Sequence, residues 1–245
     1  MIAYLSARGA GERFRHSQWR LFFAVLEPLA LVTIVSLAQV YLLHAAPAFG
    51  TSNLLFNATG FIPYYLFLHV SQKIRSMDAM RAIPHTTWID HALAYILGEV
   101  FVKGYILAII FTLLYFAGTP DAIPRNPLLC ILALFLLAGL GFAVGLINLV
   151  IMSFWEAWYY VYLLFSRVLM MFSGVLFVVD VAPYNMREFC SYNPLAQSIT
   201  WFRYNVYSNF PAQTLDVTYV LIFGAILLMV ALILEESTRE WRKFR

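Results

Sequence analysis

Four charged positions in otherwise apolar stretches carry most of the chemical information in this sequence. Glu99 and Lys103 stand four residues apart, so on a helix they share a face and can pair. Arg167 has no acid three or four residues away on either side. A buried arginine in an apolar segment must meet a partner acid, face a wet cavity or snorkel to an interface. For Arg167 this leaves a salt bridge to Glu27 or Glu99, a contact to an anionic substrate, or a snorkelling anchor. Glu27 precedes Pro28, which either starts or kinks a helix there. These groups can bind and pair, but they do not make a reaction centre. There is no GxxxxGK[ST] phosphate loop, since the only lysines are Lys73, Lys103 and Lys243 and none follows a glycine. HExxH and GxSxG are absent, and the histidines are scattered. Cys130 and Cys190 alone do not make a four-thiolate metal site. The acids Asp121, Asp180, Glu188 and Asp216 are scattered along the chain.

The elements that must hold these groups follow from composition. Of 245 residues, 62% are hydrophobic and 12% are charged, against roughly 45–50% and about 25% in a soluble domain. This excludes a disordered chain, a nucleic-acid binder and an ordinary soluble enzyme. A helix crosses the hydrocarbon layer in about 20 apolar residues. Six segments qualify: Leu21–Leu43, Asn53–Gln72, Ala92–Phe116, Pro127–Met152, Trp158–Val181 and Val217–Leu234. The expected fold is an all-α membrane protein with six transmembrane helices in a single domain over 1–245. No cleavable signal peptide is expected at the N-terminus.

Basic residues set the orientation. Arg8, Arg13, Arg15 and Arg20, then Lys73, Arg75 and Arg81, then Arg239, Arg242, Lys243 and Arg245 fall on one side, assigned to the cytoplasm. Arg125, Arg187 and Arg203 fall on the other. Both termini are therefore expected inside. The N-terminal segment, residues 1–20, places Phe14, Trp19 and four arginines before the first span, either as a snorkelling anchor or as a helix on the inner surface. The inner loop, residues 73–90, suits a short helix ended by Pro84, with Ile74, Met77 and Met80 set among charges as a docking surface or as buried packing.

Gly141 and Gly145, beside Gly139, form a GxxxG spacing that lets helices approach closely. The fifth span and its approach are dense in rings, among them Trp155, Trp158, Tyr159, Tyr162 and Phe165; the second adds Phe61, Tyr64, Tyr65 and Phe67. Such rings cover apolar sugar faces while phenol hydroxyls meet sugar hydroxyls. In the long outer loop, 182–216, Leu195, Ile199, Phe202 and Val206 recur on one helical face, with Gln197, Arg203 and Asn205 elsewhere. Asn193-Pro194 suits a helix start. The pattern predicts an amphipathic, re-entrant helix dipping into the outer leaflet.

In its basic N-terminal segment, in Arg20-Leu21-Phe22-Phe23-Ala24-Val25-Leu26-Glu27-Pro28, in the charged loop between spans two and three, and in Asn193-Pro194-Leu195 followed by Arg203, the chain resembles membrane subunits of type 2 ABC exporters. Within them it is similar to capsular polysaccharide export permeases. The resemblance implies a homodimer in the inner membrane with two cytosolic ABC ATPase subunits, which would hold ATP and Mg; this chain would bind no cofactor. It implies an interface helix with Arg13, Phe14, Arg15, Trp19 and Arg20, and an ATPase-coupling segment with Ile74, Met77, Asp78, Met80, Arg81 and Ile83. A substrate channel would be lined by Phe22, Glu27, Tyr64, Tyr159, Tyr162 and Arg167, and a gating segment would include Asn193, Pro194, Leu195 and Arg203. A periplasmic adaptor and an outer-membrane channel would continue the route for a lipid-linked, often acidic polysaccharide. The family often carries a His and an acid after the Asn-Pro-Leu motif, where this chain has Gln197 and Thr200. Alternatives are export of O-antigen, a teichoic-acid-like polymer, a small lipid or a drug, and, in another class, an ion-coupled carrier or membrane enzyme.

Overall fold

The computed structural model describes residues 19–78 and 88–242, with side chains over 25–74 and 89–238. The described residues form eight α-helices, two short 3₁₀ turns and no strand. The helices are α1 (Trp19–Tyr41), α2 (Asn53–Asp78), α3 (Trp88–Phe116), α4 (Pro127–Phe154), α5 (Trp158–Met171), α6 (Tyr184–Ser191), α7 (Pro194–Val206) and α8 (Val217–Arg242). Three stretches among the described residues are long and apolar enough to cross a membrane: Ile89–Phe116, Pro127–Phe154 and Val217–Thr238.

Helix α4 is the hub, packing on α2, α3, α5, α7 and α8. Across its most apolar stretch it is 61% buried, whereas α8 is 11% buried and presents most of its side outward. The glycines explain how α4 takes the centre. A Cβ on Gly141 would come 2.7 Å from the Phe67 carbonyl, and one on Gly145 would come 3.0 Å from the Ser71 carbonyl. The pair therefore admits the α2 backbone into close contact, as GxxxG spacing allows. Gly139 faces open space and takes no part.

Helix α5 departs from the expected fifth span. It has 14 residues and ends at Met171, not near Val181. At 1.5 Å per residue it is about 21 Å long, short of the roughly 30 Å hydrocarbon core. The break lies at Phe172-Ser173-Gly174. Gly174 takes a positive φ of 66°, a conformation that suits glycine after a helix end. The Ser173 hydroxyl donates back to the Leu169 carbonyl at 2.6 Å. The following residues are irregular, yet Val175, Val178 and Val179 are buried.

Helix α7 starts where the sequence places it. The Asn193 side chain accepts from the Leu195 amide at 3.0 Å, with Pro194 at the first helical position. Leu195, Ile199, Phe202 and Val206 are in the core as expected, but Gln197, Arg203 and Asn205 are also buried. The helix is thus enclosed on nearly all sides; Gln197 and Arg203 bond to other elements, while Ser198 and Asn205 donate to carbonyls of α7 itself, and no water-facing stripe forms.

Candidate functional site

Irregular backbone at membrane depth is tolerated only where its polar groups find partners inside the protein or in a wet cavity. The segment after α5 creates that need, because its carbonyls have left the helical ladder and must find other donors. Arg203 of α7 supplies the donors. Its Nη1 donates to the Gly174 carbonyl at 2.6 Å and the Phe177 carbonyl at 3.2 Å. Its Nη2 donates to the Val175 carbonyl at 2.6 Å and, across to α2, the Phe56 carbonyl at 3.1 Å. Its Nε reaches the Thr59 hydroxyl at 3.4 Å. The guanidinium also lies 3.9 Å from the centre of the Phe56 ring, a cation–π distance. Arg203 is 1% exposed, and all of these acceptors are neutral oxygens. The cage therefore offsets desolvation of the cation without an acid.

Neighbouring groups complete this knot. The Asn193 amide donates to the Phe172 carbonyl at 3.0 Å. Gln197 donates to the Ser191 and Thr214 carbonyls at 2.9 and 2.7 Å and accepts from the Asp216 amide at 3.0 Å. The Asp180 carboxylate accepts from the Gln213 and Thr214 amides at 2.7 and 3.1 Å. The residues expected to gate thus form one cross-linked cluster: Asn193 and Pro194 begin α7, Leu195 packs in the core, and Arg203 clamps the segment after α5.

The expected channel residues divide. Tyr64 is buried and its hydroxyl donates to the Ser166 carbonyl of α5. Tyr162 is also buried and donates to the Ser71 hydroxyl of α2 at 2.6 Å. Both phenols are spent joining α2 to α5, so they do not face an open passage in this structure. Glu27 and Arg167 are exposed, and both lie close enough to Tyr65 for their charges to act on its hydroxyl. Tyr159 is half-buried, with its ring edge-on to Tyr160 at 5.5 Å. The side chain of Phe22 lies outside the described residues.

Glu99 and Lys103 pair as their spacing implies, at 3.7 Å. Both are almost fully buried. The salt bridge considered between Arg167 and Glu99 is not formed. Glu99 instead faces Lys103 and, across on α2, His69 at 3.6 Å. Among the described residues Arg167 has no acid within ion-pair distance. His69 was missed by the sequence reading. Its one local signal is its position four residues after Tyr65, where the two rings meet edge to face at 5.8 Å; its partners on α3 leave no mark near it in the sequence. Glu27, Pro28, Leu31, Tyr65 and His69 line a small recess between α1 and α2.

Of the expected coupling residues, Ile74 is 1% exposed and packs where Gly145 lacks a side chain, so it belongs to the core and is not free to dock. Met77 and Asp78 fall in the last turn of α2, with side chains outside the described set, and Met80, Arg81 and Ile83 lie outside the described residues. Trp19 and Arg20 open α1, and Arg13, Phe14 and Arg15 lie outside the described residues.

These features define a helical membrane protein whose buried charged groups are partnered inside the fold. A family model described as ABC-2 type transporter matches residues 2–207. The chain belongs to the ABC-2 type transporter family, the membrane permease component of transporters that generally pair with ABC ATPase subunits. No curated protein matches the chain.

Proposed function

We propose that this chain is the permease subunit of an ATP-driven exporter that moves a lipid-linked, acidic, capsule-type polysaccharide across the inner membrane. It works as a homodimer, six spans per subunit and both termini in the cytoplasm. Two separate ATPase chains hold ATP and Mg. Segment 73–90 carries their motion to α2 and α3, segment 1–20 lies along the inner surface, and 182–216 closes the outer end. A periplasmic adaptor and an outer-membrane channel extend the route.

The observation that carries this reading is the face shared by α1, α2 and α5. There Glu27 and Arg167 are exposed around Tyr65 on helices that are otherwise apolar. Charges on such a face are costly against lipid, and a wet passage between two subunits removes that cost. The rings of Tyr160, seven residues before Arg167 on α5, and of Tyr65 on α2 continue the face. They offer weak, repeated stacking surfaces on which a polymer can slide, and the Arg167 cation attracts acidic sugars. The reading replaces Tyr64 and Tyr162 as lining groups with Tyr65 and Tyr160.

The test is a pull-down of the tagged full chain from native membranes in mild detergent, with mass spectrometry of bound proteins and glycan analysis of a deletion strain. A stoichiometric ATPase, lost on Met77→Asp with Met80→Asp, together with intracellular accumulation of an acidic glycan, supports the reading. An ATPase with an unchanged glycan profile moves the substrate to a small lipid or drug. Absence of an ATPase, with other membrane complexes intact, overturns the exporter reading.

A further inference from the structure

Helix α6 carries a face that the fold leaves largely open. Its inner side brings Met186 and Cys190 onto Val179 and Ala196. Val181, Tyr184, Asn185, Glu188, Phe189 and Tyr192 are exposed and recur at helical spacing, so they share the other side. Val181, Tyr184, Phe189 and Tyr192 are each between 60% and 74% exposed. An apolar surface gathered on one side in this way marks an interaction site. Glu188 and Asn185 stand among the rings, and a carboxylate is costly in hydrocarbon. A face that mixes rings with polar groups suits the headgroup layer, where one end of a ring is apolar and the other wet.

The two ends of α6 fix its depth. Past its last turn, the Tyr192 carbonyl accepts from the hydroxyl of Tyr219, in the first turn of α8, at 2.8 Å. Ahead of its first turn, the Asp180 carboxylate accepts from the Gln213 and Thr214 amides, a few residues before α8 begins at Val217. Both ends are therefore tied to the start of α8. The apolar stretch of α8 is long enough to cross a membrane and is only 11% buried, so its first turn stands where the chain enters the bilayer. A short helix pinned at both ends to that boundary lies along the membrane surface, not across it.

Charge narrows the kind of lipid. Arg187 and Glu188 put a cation and a carboxylate on successive residues, with the Arg187 guanidinium 5.8 Å from the centre of the Tyr184 ring. The two charges complement the phosphate and the ammonium of a zwitterionic headgroup, and Glu188 repels an acidic one. We infer that α6 is an in-plane anchor in the headgroup layer where α8 enters the bilayer, with Arg187 and Glu188 meeting the phosphate and ammonium of a zwitterionic phospholipid. The interfacial helix is thus α6, one helix earlier than the 195–206 stretch to which periodicity assigns that place. The anchor requires neither an ATPase nor a polymer, so its failure leaves the exporter reading untouched.

The experiment is nitroxide labelling of the full chain in phosphatidylethanolamine-containing nanodiscs, with Val181→Cys, Asn185→Cys and Tyr192→Cys made one at a time. Cys130 and Cys190 are buried, and the unsubstituted chain gives their background. Power saturation with oxygen and with a water-soluble nickel chelate reads the depth of each label. All three are expected at similar depth, within about 5–10 Å of the phosphate level. A label as open to nickel as one in a soluble loop, a label shielded by protein from both reagents, or a depth difference near the ~12 Å length of the helix overturns the anchor. The headgroup match is read by melting in detergent with phosphatidylethanolamine or phosphatidylglycerol added. Phosphatidylethanolamine is expected to raise the wild-type melting temperature more, and Arg187→Gln with Glu188→Gln to abolish that difference. Equal shifts in the wild type, or a difference that survives the double substitution, overturn the match.

Discussion

Arg203 and Gly174 are joined by a 2.6 Å hydrogen bond from guanidinium to carbonyl, although they stand 29 residues apart on different elements. The bond lies where α5 stops and irregular backbone begins. It couples two features that look unrelated in the chain, a helix-breaking glycine and an arginine buried without an acid. The arginine's fork of donors matches the cluster of carbonyls that a broken helix exposes. Substituting Arg203 by methionine therefore leaves several buried carbonyls unpaired at once. Each costs about 1–3 kcal/mol, so Arg203→Met should lose most of the folded, monodisperse protein in a fluorescence size-exclusion assay. Arg203→Lys keeps the charge and a compact set of donors but loses the fork, and it should lower the melting temperature less. Wild-type melting of Arg203→Met would show that the cage contributes nothing.

The α2–α4 contact makes an internal control possible. Gly141→Ala places a methyl group against the Phe67 backbone, which does not move aside as a side chain would, and should destabilise by roughly 1–3 kcal/mol. Gly139→Ala meets nothing within 4 Å and should be neutral or slightly stabilising, since alanine favours helix by roughly 0.5–1 kcal/mol over glycine. Thermal unfolding of both variants in the same detergent reads the difference, and equal melting temperatures would remove the close-approach argument.

The same contact shows what was legible in the sequence. Starts at Asn53, Pro127, Pro194 and Val217 follow from caps, prolines and hydropathy, and all four hold. The pairing of Glu99 with Lys103 follows from spacing within one helix. The end of α5 was not legible, because Val175 to Val181 is as apolar as a span and hydropathy does not distinguish helix from buried irregular backbone. The burial of Gln197, Arg203 and Asn205 was hidden for a related reason. The partners of Arg203 lie on α2 and on the segment after α5, those of Gln197 at the end of α6 and before α8, and Asn205 accepts from Asn126 at the start of α4, so helical periodicity alone reads them as a wet face. Rotation of α2 was equally hidden: Tyr64 and Tyr65 are adjacent, yet one is buried against α5 and the other borders the recess.

That rotation lets the buried phenols be tested apart from the proposed passage. Tyr162→Phe removes a 2.6 Å hydrogen bond to Ser71 and should cost about 1 kcal/mol, leaving export per folded molecule unchanged. Tyr160→Ala removes an exposed ring and should leave melting within about 0.5 kcal/mol of wild type while reducing export. Melting curves and surface-polymer quantification, normalised to membrane protein level, give both axes. Loss of export in Tyr162→Phe at normal stability would return the buried phenols to the passage.

Arg167 offers the sharpest test of an acidic cargo. Its side chain is exposed, and no acid lies within ion-pair distance of it among the described residues, so removing it leaves no buried partner behind. Arg167→Ala should melt within about 0.5 kcal/mol of wild type, as substitutions without a buried partner do. If the cation attracts a negatively charged polymer along a wet face, export falls severalfold in Arg167→Ala. It recovers substantially in Arg167→Lys, because long-range attraction depends on charge more than on the guanidinium shape. Lysine would fail to rescue only if the contact were bidentate to a carboxylate or phosphate, which would itself locate a fixed binding position. Export equal to wild type in Arg167→Ala, measured on an acidic polymer, would remove the substrate contact and leave Arg167 as a snorkelling anchor.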